Sequence, residues 1–282
     1  MDPGRAPHEA VGPALAGAVI AVVLVAAGVL ALGAHFRASP AAPAAASPSE
    51  VSASLANGVA WIWPDSNGPR SANGETAPYR EAAVLVESLV LRARGVERGG
   101  RTQGLRLPPG VRIVPVLHVE AAADAPSMLT PAQRDAIVAA VRRHAGVAAS
   151  GAGLLQLDFE APARQRDAYR ELVTAVRQAL PAELRLSVTA LAHWCTQGDW
   201  LDRLPVDEVV PMLYRLGPHA AQWRERFVRE DATLARRCRG PAFGFATNDP
   251  PPPALLARAT RPYWFDASAW SNPSQAPPHL VP

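Results

Sequence analysis

Apolar positions run without interruption from residue 11 to residue 36, and no charged side chain lies between Glu9 and Arg37. About 20 helical residues cross the hydrocarbon core of a bilayer, so this run predicts a single transmembrane anchor. A cleaved signal peptide is the alternative, although its apolar region usually spans only about 7–15 residues. A segment this close to the start favours a short cytoplasmic tail over residues 1–10 and a periplasmic or extracellular domain.

The next segment, residues 37–58, is rich in Ala, Pro and Ser and predicts a flexible linker. From residue 59 onward, short apolar runs alternate with helical patterns up to about residue 270. We therefore expect one folded domain over residues 59–270, followed by a C-terminal tail over residues 271–282.

Eight apolar runs in this domain predict strands. They are Val59–Trp63, Ala83–Arg92, Arg112–Glu120, Leu154–Glu160, Leu184–Ala192, Asp207–Tyr214, Gly240–Phe245 and Pro262–Asp266. Helical patterns lie between several of them. These are a helix opened by the capping-box sequence Thr130–Gln133, one over Arg164–Leu180 and one over His219–Arg237.

Alternating strands and helices are typical of a parallel sheet with crossover helices. Eight strands favour a sheet that closes into a barrel. The predicted fold class is α/β, a (β/α)8 TIM-like barrel. The polar, Gly- and Pro-rich segment 64–78 predicts an irregular first helix. An open doubly-wound sheet is the alternative fold, but no G-x-G-x-x-G sequence follows any predicted strand.

Charge and composition exclude several functions. The net charge is +3, yet the chain contains no Lys, and its arginines are scattered among acids rather than gathered in one stripe. We therefore expect no nucleic acid partner. The absence of Lys excludes a Walker A loop, a Schiff-base aldolase and a pyridoxal enzyme, and we expect no cofactor. The first strand has Trp61-Ile62-Trp63 where metal-dependent barrel hydrolases have H-x-H, so we expect no metal.

The fourth predicted strand locates a candidate site. Side chains alternate along a strand with a period of two. Leu155, Leu157 and Phe159 therefore face the helices, while Gln156, Asp158 and Glu160 face the barrel axis. Active sites of such barrels lie at the C-terminal ends of the strands, where Asp158 and Glu160 occur.

Other strand ends carry acids, imidazoles and aromatic rings. The candidate substrate-binding residues are His118, Glu120, His193, Trp194, Met212, Arg215, Trp264 and Asp266, beside the candidate catalytic residues Asp158, Glu160 and Tyr214. Carboxylates can perform acid chemistry while flat rings receive the apolar faces of sugars, so the predicted partner is a carbohydrate.

Residues 153–217 resemble a bacterial family of membrane-associated or secreted proteins that is defined only as a domain of unknown function. The resemblance rests on LLQLDFEAPARQRDAYRELVTAVRQALP, LSVTALAHWC and GDWLDRLPVDEVVPMLYRLG. It implies a glycosidase-like barrel.

More distantly, three pieces resemble the chitinase-type glycoside hydrolases. These are the D-x-E of Asp158 and Glu160, the M-x-Y of Met212 and Tyr214, and the late-strand Trp264. That resemblance implies that Glu160 protonates the glycosidic oxygen, that Asp158 and Tyr214 orient an acetamido group, and that Trp264 is a platform. Two positions differ: Gln156 stands where that family has an Asp, and Arg215 where it has an acid. A cation at Arg215 would lower the pKa of nearby carboxyls.

Three functions remain open at this point, so whether the chain is an enzyme is undecided. The first is a glycoside hydrolase acting on an extracytoplasmic polysaccharide. The second is a non-catalytic glycan-binding module. The third is a structural envelope protein whose acids form ion pairs, such as Asp158 with Arg215.

The two cysteines illustrate the expected geometry. Cys195 follows a predicted strand, whereas Cys238 precedes one, so a barrel should place them at opposite ends. A disulfide needs Cα atoms within about 7 Å. We therefore predict two free thiols.

Overall fold

A computed structural model describes residues 44–63, 78–100, 104–161 and 165–266. The predicted anchor, both predicted tails and most of the segment predicted as an irregular first helix lie outside these residues. Within the described ranges, no helix is both long enough and apolar enough to cross a bilayer.

A closed sheet of eight parallel strands forms the centre of the domain. The strands in the described part of the chain are β1 Val59–Ile62, β2 Glu81–Arg92, β3 Gly95–Gly100, β4 Arg112–Ala121, β5 Leu154–Phe159, β6 Arg185–Leu191, β7 Glu208–Met212, β8 Ala242–Ala246 and β9 Arg261–Phe265. Each of the eight predicted strands is present, and only β3 is additional. The order β1-β2-β4-β5-β6-β7-β8-β9 returns to β1, so the α/β barrel prediction is confirmed.

Strand β3 pairs antiparallel with β2 and lies outside the barrel. Its sequence, Gly-Val-Glu-Arg-Gly-Gly, has one large apolar residue and so shows no alternation that could have predicted a strand.

Helices surround the barrel. They are α1 Pro48–Asn57, α2 Pro131–Ser150, α3 Arg166–Ala179, α4 Ala220–Val228 and α5 Pro253–Arg258. The start of α2 matches the prediction, because Thr130 and Gln133 form a capping box ahead of Pro131. Helices α2, α3, α4 and α5 each connect two consecutive strands of the barrel and carry the chain back to its lower end, so these strands run parallel.

Alternation along the strands separates an interior from an exterior, as predicted for β5. Leu155, Leu157 and Phe159 belong to the apolar layer under the helices, whereas Leu154 belongs to the barrel interior. Gln156 and Asp158 are buried in that interior and form hydrogen bonds there. The interior is closed at its lower end by Arg261, which pairs with Glu81 at 2.6 Å and with Glu208 at 2.9 Å.

Helix α1 occupies most of the described part of the segment predicted as a flexible linker over residues 37–58, of which residues 37–43 lie outside the described ranges. Ser47 caps the helix and Glu50 completes a capping box, which compensates for the weak apolar pattern. Leu55 is almost fully buried, and Ser54 accepts a hydrogen bond of 3.1 Å from the indole of Trp264 on β9. A single buried Leu in an Ala- and Ser-rich stretch was too weak a signal to predict this packing.

The predicted helix over His219–Arg237 is also wrong in its extent, because α4 ends at Val228. Glu230 has a left-handed backbone with φ of 52°, which a helix does not allow. The carboxylate of Asp231 then accepts hydrogen bonds from the backbone and hydroxyl of Thr233. Such local bonds compete with helical ones, so the helix stops before this turn.

A disulfide between Cys195 and Cys238 contradicts the prediction of free thiols, and their Cα atoms are 5.8 Å apart. The connection from β6 to β7, described throughout, contains two short 3-10 helices, Ala192–Thr196 and Leu201–Arg203, and no α-helix. It passes through the outer layer rather than staying at the rim, and the carbonyl of Cys195 accepts a hydrogen bond from the amide of Ala235. Neither cysteine lies in a strand, so the barrel register is unaffected.

Candidate active site

An open cavity of about 200 Å³ lies at the C-terminal ends of the barrel strands. Its walls are polar on the side of β4 and β5 and largely aromatic or aliphatic elsewhere. The lining residues are Trp63, His118, Asp158, Glu160, Leu191, Ala192, His193, Met212, Tyr214, Arg215, Leu216, Trp223 and Phe265. This cavity is where the predicted site was expected.

Asp158 lies at the base of the polar wall and is buried. The hydroxyl of Thr189 on β6 donates to its Oδ1 at 2.6 Å, and Nδ1 of His118 on β4 is 3.1 Å from its Oδ2. Parallel pairing of β4, β5 and β6 brings these residues together, since His118 is the register partner of Asp158. Asp158 is therefore held from both neighbouring strands.

Glu160 lies two residues further along the chain and lines the upper part of the cavity. Burial raises the pKa of Glu160 to about 7, and the negative charges of Asp158 and Glu120 contribute to the rise, while His118 acts in the opposite direction. The protonated form of this carboxyl is therefore favoured relative to an exposed Glu. This direction is opposite to the one expected from the nearby Arg215.

His118 is buried beside these acids. Burial alone would lower its pKa, but the hydrogen bond and the negative charge of Asp158 outweigh burial, so the pKa of His118 is raised. The edge of the Trp63 ring packs against the imidazole, with ring centroids 5.1 Å apart. The charged form of His118 is thus stabilised by Asp158.

Tyr214 and its neighbours form the aromatic wall. The Tyr214 ring stacks on Phe265 with centroids 5.9 Å apart, and its hydroxyl lies 3.2 Å from the sulfur of Met212. Burial, followed by the charges of Asp158 and Glu160, raises the pKa of Tyr214 well above its usual range. Its hydroxyl therefore stays protonated and can donate a hydrogen bond.

Gln156 lies one layer below Asp158. Its carbonyl oxygen accepts from the Trp61 indole at 2.7 Å, and its amide donates to the Ser187 hydroxyl at 3.1 Å. Trp61 also packs against Tyr214 with ring centroids 6.3 Å apart. Gln156 thereby fixes the ring beneath the aromatic wall.

Arg215 lines the cavity from an exposed position and has a left-handed backbone with φ of 52°. Its amide donates to a carboxylate oxygen of Asp249 at 3.3 Å, and the other oxygen of Asp249 pairs with Arg224 at 2.7 Å. Unusual backbone conformations of this kind persist where surrounding contacts hold them, often at functional sites.

Four predicted site residues do not line the cavity. Trp264 faces outward under α1, because Tyr263 and Phe265 occupy the inward positions of β9. Trp194 packs in the outer layer against Tyr169 and Trp200. Glu120 and Asp266 are not among the residues that line the cavity.

The sequence analysis missed six lining residues. These are Trp63, Leu191, Ala192, Leu216, Trp223 and Phe265. Alternation along β9 separates Phe265 from Trp264, but only the structure shows that Phe265 is on the inward face. Trp63 ends the first predicted strand without a polar neighbour that would mark a site, and Trp223 lies on α4, outside any strand pattern.

No metal site emerges from the described ranges, in which no group of three or more His, Cys, Asp or Glu side chains could hold an ion. The acids at the cavity instead surround the buried His118. The carboxyl, imidazole and phenol groups at the cavity can transfer protons and form hydrogen bonds.

The solved structures that match this chain include two enzymes. The spore cortex-lytic enzyme SleL of Bacillus cereus matches with a TM-score of 0.42 and 14% identity, over 72% of this chain and 57% of that one. The catalytic domain of a family GH18 chitinase from the fern Peteris ryukyuensis matches with a TM-score of 0.43 and 13% identity, over 77% of this chain and 95% of that one. No known family profile and no curated protein sequence matches the chain.

Proposed function

We propose that the cavity hydrolyses glycosidic bonds of a polysaccharide, with Glu160 as the general acid. The observation that carries this proposal is that Asp158 and Glu160 line one open cavity whose opposite wall is aromatic. Glycoside hydrolysis needs a carboxylic acid that protonates the leaving oxygen and a second group that stabilises the positive charge on the sugar.

Protonation favours Glu160 over Asp158 as the acid. A general acid works best with a pKa near the working pH, and the pKa of Glu160 is raised to about 7. Asp158 instead accepts a hydrogen bond from the Thr189 hydroxyl and lies beside His118. These two contacts suit a fixed electrostatic and orienting role for Asp158. The protonated hydroxyl of Tyr214 would donate to a substituent of the same sugar.

The aromatic wall supports a carbohydrate as the substrate. Trp63, Trp223 and Phe265 line the cavity, and flat rings of this kind can receive the apolar faces of sugars. Trp63 takes the platform role that the sequence assigned to Trp264.

We further propose that residues 11–36 anchor the domain on the outer side of a membrane. The uninterrupted apolar run supports an anchor. The Cys195–Cys238 disulfide supports the location independently, because disulfides persist in the periplasm and outside cells. Membrane partition and protease accessibility of the full chain in vesicles test both parts.

The test of hydrolysis uses the full chain in mild detergent with oligosaccharides and aryl glycosides, N-acetylated ones included. Glu160→Gln should reduce turnover of unactivated substrates by about 10²- to 10⁴-fold, since it removes the transferable proton. A dinitrophenyl leaving group needs no protonation, so its loss should be much smaller. Glu171→Gln, on the exposed face of α3, is the matched control and should retain full activity.

Full turnover of unactivated substrates by the Gln variant would rule out Glu160 as the acid. A non-catalytic glycan-binding role is the second candidate, favoured by the aromatic lining of the cavity. Saturable binding of oligosaccharides without turnover at any pH would support that role instead. If the chain shows neither turnover nor binding, the remaining candidate is a structural envelope protein.

A further inference from the structure

His118 has a place in this site that neither the D-x-E sequence nor the aromatic wall explains. It is buried on β4, and its ring is 3.1 Å from the carboxylate of Asp158. We propose that His118 is the positioning residue of the site, which restrains Asp158 and supplies the positive charge beside the Asp158–Glu160 pair. The effect of His118 on turnover rests on the proposed function, whereas its effect on Asp158 and Glu160 does not.

The restraint on Asp158 comes from two sides. Thr189 holds Oδ1 from β6, and His118 holds Oδ2 from β4. Both contacts lie across parallel strand pairs, so the backbone fixes their distances. A carboxylate engaged through both oxygens keeps one orientation relative to the cavity.

Gln156 does not supply this restraint, although it lies on the same face of β5. Its two polar atoms bond to Trp61 and Ser187 one layer lower. Its amide is also neutral, so it adds no charge near Glu160. His118 thus contributes both a contact to Asp158 and a cationic form at this level.

The charges around His118 determine what its own charge does. Asp158 and Glu160 face it from β5, and Glu120 lies on β4 itself. From the other strand ends, His193, Tyr214 and Arg215 line the same cavity. Burial and the charge of Arg166 lower the pKa of His193, so His193 tends to be neutral, and Arg215 is exposed at the rim. A buried cation at His118 therefore offsets a mostly negative wall.

The consequence for Glu160 has a definite sign. A positive His118 stabilises the ionised form of Glu160 and so lowers its pKa relative to a site with a neutral residue. Removing that charge should raise the pKa of Glu160 further. The site would then retain its transferable proton to higher pH but hold Asp158 less firmly.

The experiment measures Glu160 directly, so that it does not depend on turnover. Infrared titration of the full chain follows the protonated carboxyl band that is absent in Glu160→Gln. In His118→Asn, which removes the charge of His118, the midpoint of this band should move upward by about one pH unit. His118→Gln is a second neutral variant, for use if the first does not fold.

Thr189→Val is the matched control, because it removes the other contact to Asp158 without removing a charge. Its carboxyl midpoint should not move upward, while turnover should fall in both variants. The basic limb of kcat/KM should follow the infrared midpoint in His118→Asn alone. An unchanged or lowered midpoint in both neutral variants would overturn the role of His118. Absence of turnover in the unaltered chain would instead count against the proposed hydrolysis and leave the infrared result valid.

Discussion

Gly244 on β8 lies against the indole ring of Trp61 from β1, and a Cβ at position 244 would come within 2.7 Å of two ring carbons. Real Cβ atoms do not approach so closely, so only glycine lets the ring occupy this part of the barrel interior. The same ring donates to Gln156 and packs beneath Tyr214. Gly244 therefore determines how deep the Trp61 ring lies beneath Tyr214 and the cavity.

Gly244→Ala should lower the free energy of unfolding by about 1–3 kcal/mol, because the added methyl group overpacks the interior. Displacement of Trp61 should also change its fluorescence. Chemical denaturation followed by fluorescence measures both effects. Gly146→Ala is the control: Gly146 lies in α2 with no atom near its would-be Cβ. It should raise stability by about 0.5–1 kcal/mol, and equal effects at both positions would contradict the packing argument.

Reducing the Cys195–Cys238 disulfide should destabilise the domain by about 2–4 kcal/mol, since it closes a long loop in the unfolded chain. Thermal unfolding with and without reductant measures the effect. In the Cys195→Ser, Cys238→Ser double variant, reductant should change nothing. Two alkylatable thiols in the unreduced native protein would show that the bond is absent.

Glu160→Gln should make the protein more stable at alkaline pH. The pKa of Glu160 is about 7 when folded against an ordinary value of 4.5, so its contribution to stability is full below about pH 4.5 and is lost as the pH rises through about 7. A Gln side chain does not ionise, so the variant does not lose this stability as the pH rises. Its free energy of unfolding above pH 8 should exceed that of the unaltered chain by at most about 3 kcal/mol. Denaturation at pH 4 and pH 8 tests the sign, and a gain of equal size at both would exclude the ionisation as its cause.

Trp63→Ala should weaken oligosaccharide binding by about 5- to 20-fold, equivalent to about 1–2 kcal/mol, if its ring is the sugar platform. Trp264→Phe should leave binding unchanged and lower the free energy of unfolding by about 1–3 kcal/mol, because it removes the hydrogen bond to Ser54 and part of a fully buried ring. Calorimetric titration and thermal unfolding of both variants distinguish the two tryptophans. Weaker binding in Trp264→Phe alone would restore the platform role inferred from the sequence.

Local patterns predicted the strands and one wall of the site. Alternation in β5 separates Leu157 from Asp158 whatever surrounds the strand, because one of its faces must pack under helices. On β9 the same rule separates Phe265 from Trp264 but does not tell which of them faces inward, because both faces carry large apolar side chains. The structure places Phe265 in the barrel interior and Trp264 in the outer layer.

Other features depend on contacts between segments far apart in the chain. The Ala- and Ser-rich stretch that holds α1 has little pattern of its own, and its helix is stabilised by capping and by packing of Leu55 and Ser54. The distance between Cys195 and Cys238 depends on how two connections pass through the outer layer. Neither can be calculated from the spacing of residues along the sequence.

The amino-acid sequence by itself determined the parallel barrel, the inward face of β5 and the rim to which Asp158 and Glu160 belong, because hydrophobic periodicity is a local property. Only the tertiary structure decided that His118 and Thr189 hold Asp158, that Trp63 rather than Trp264 faces the cavity, and that the pKa of Glu160 is raised despite the nearby Arg215. Burial and pairing depend on which side chains meet in space, and the barrel brings them together from strands that are distant in sequence.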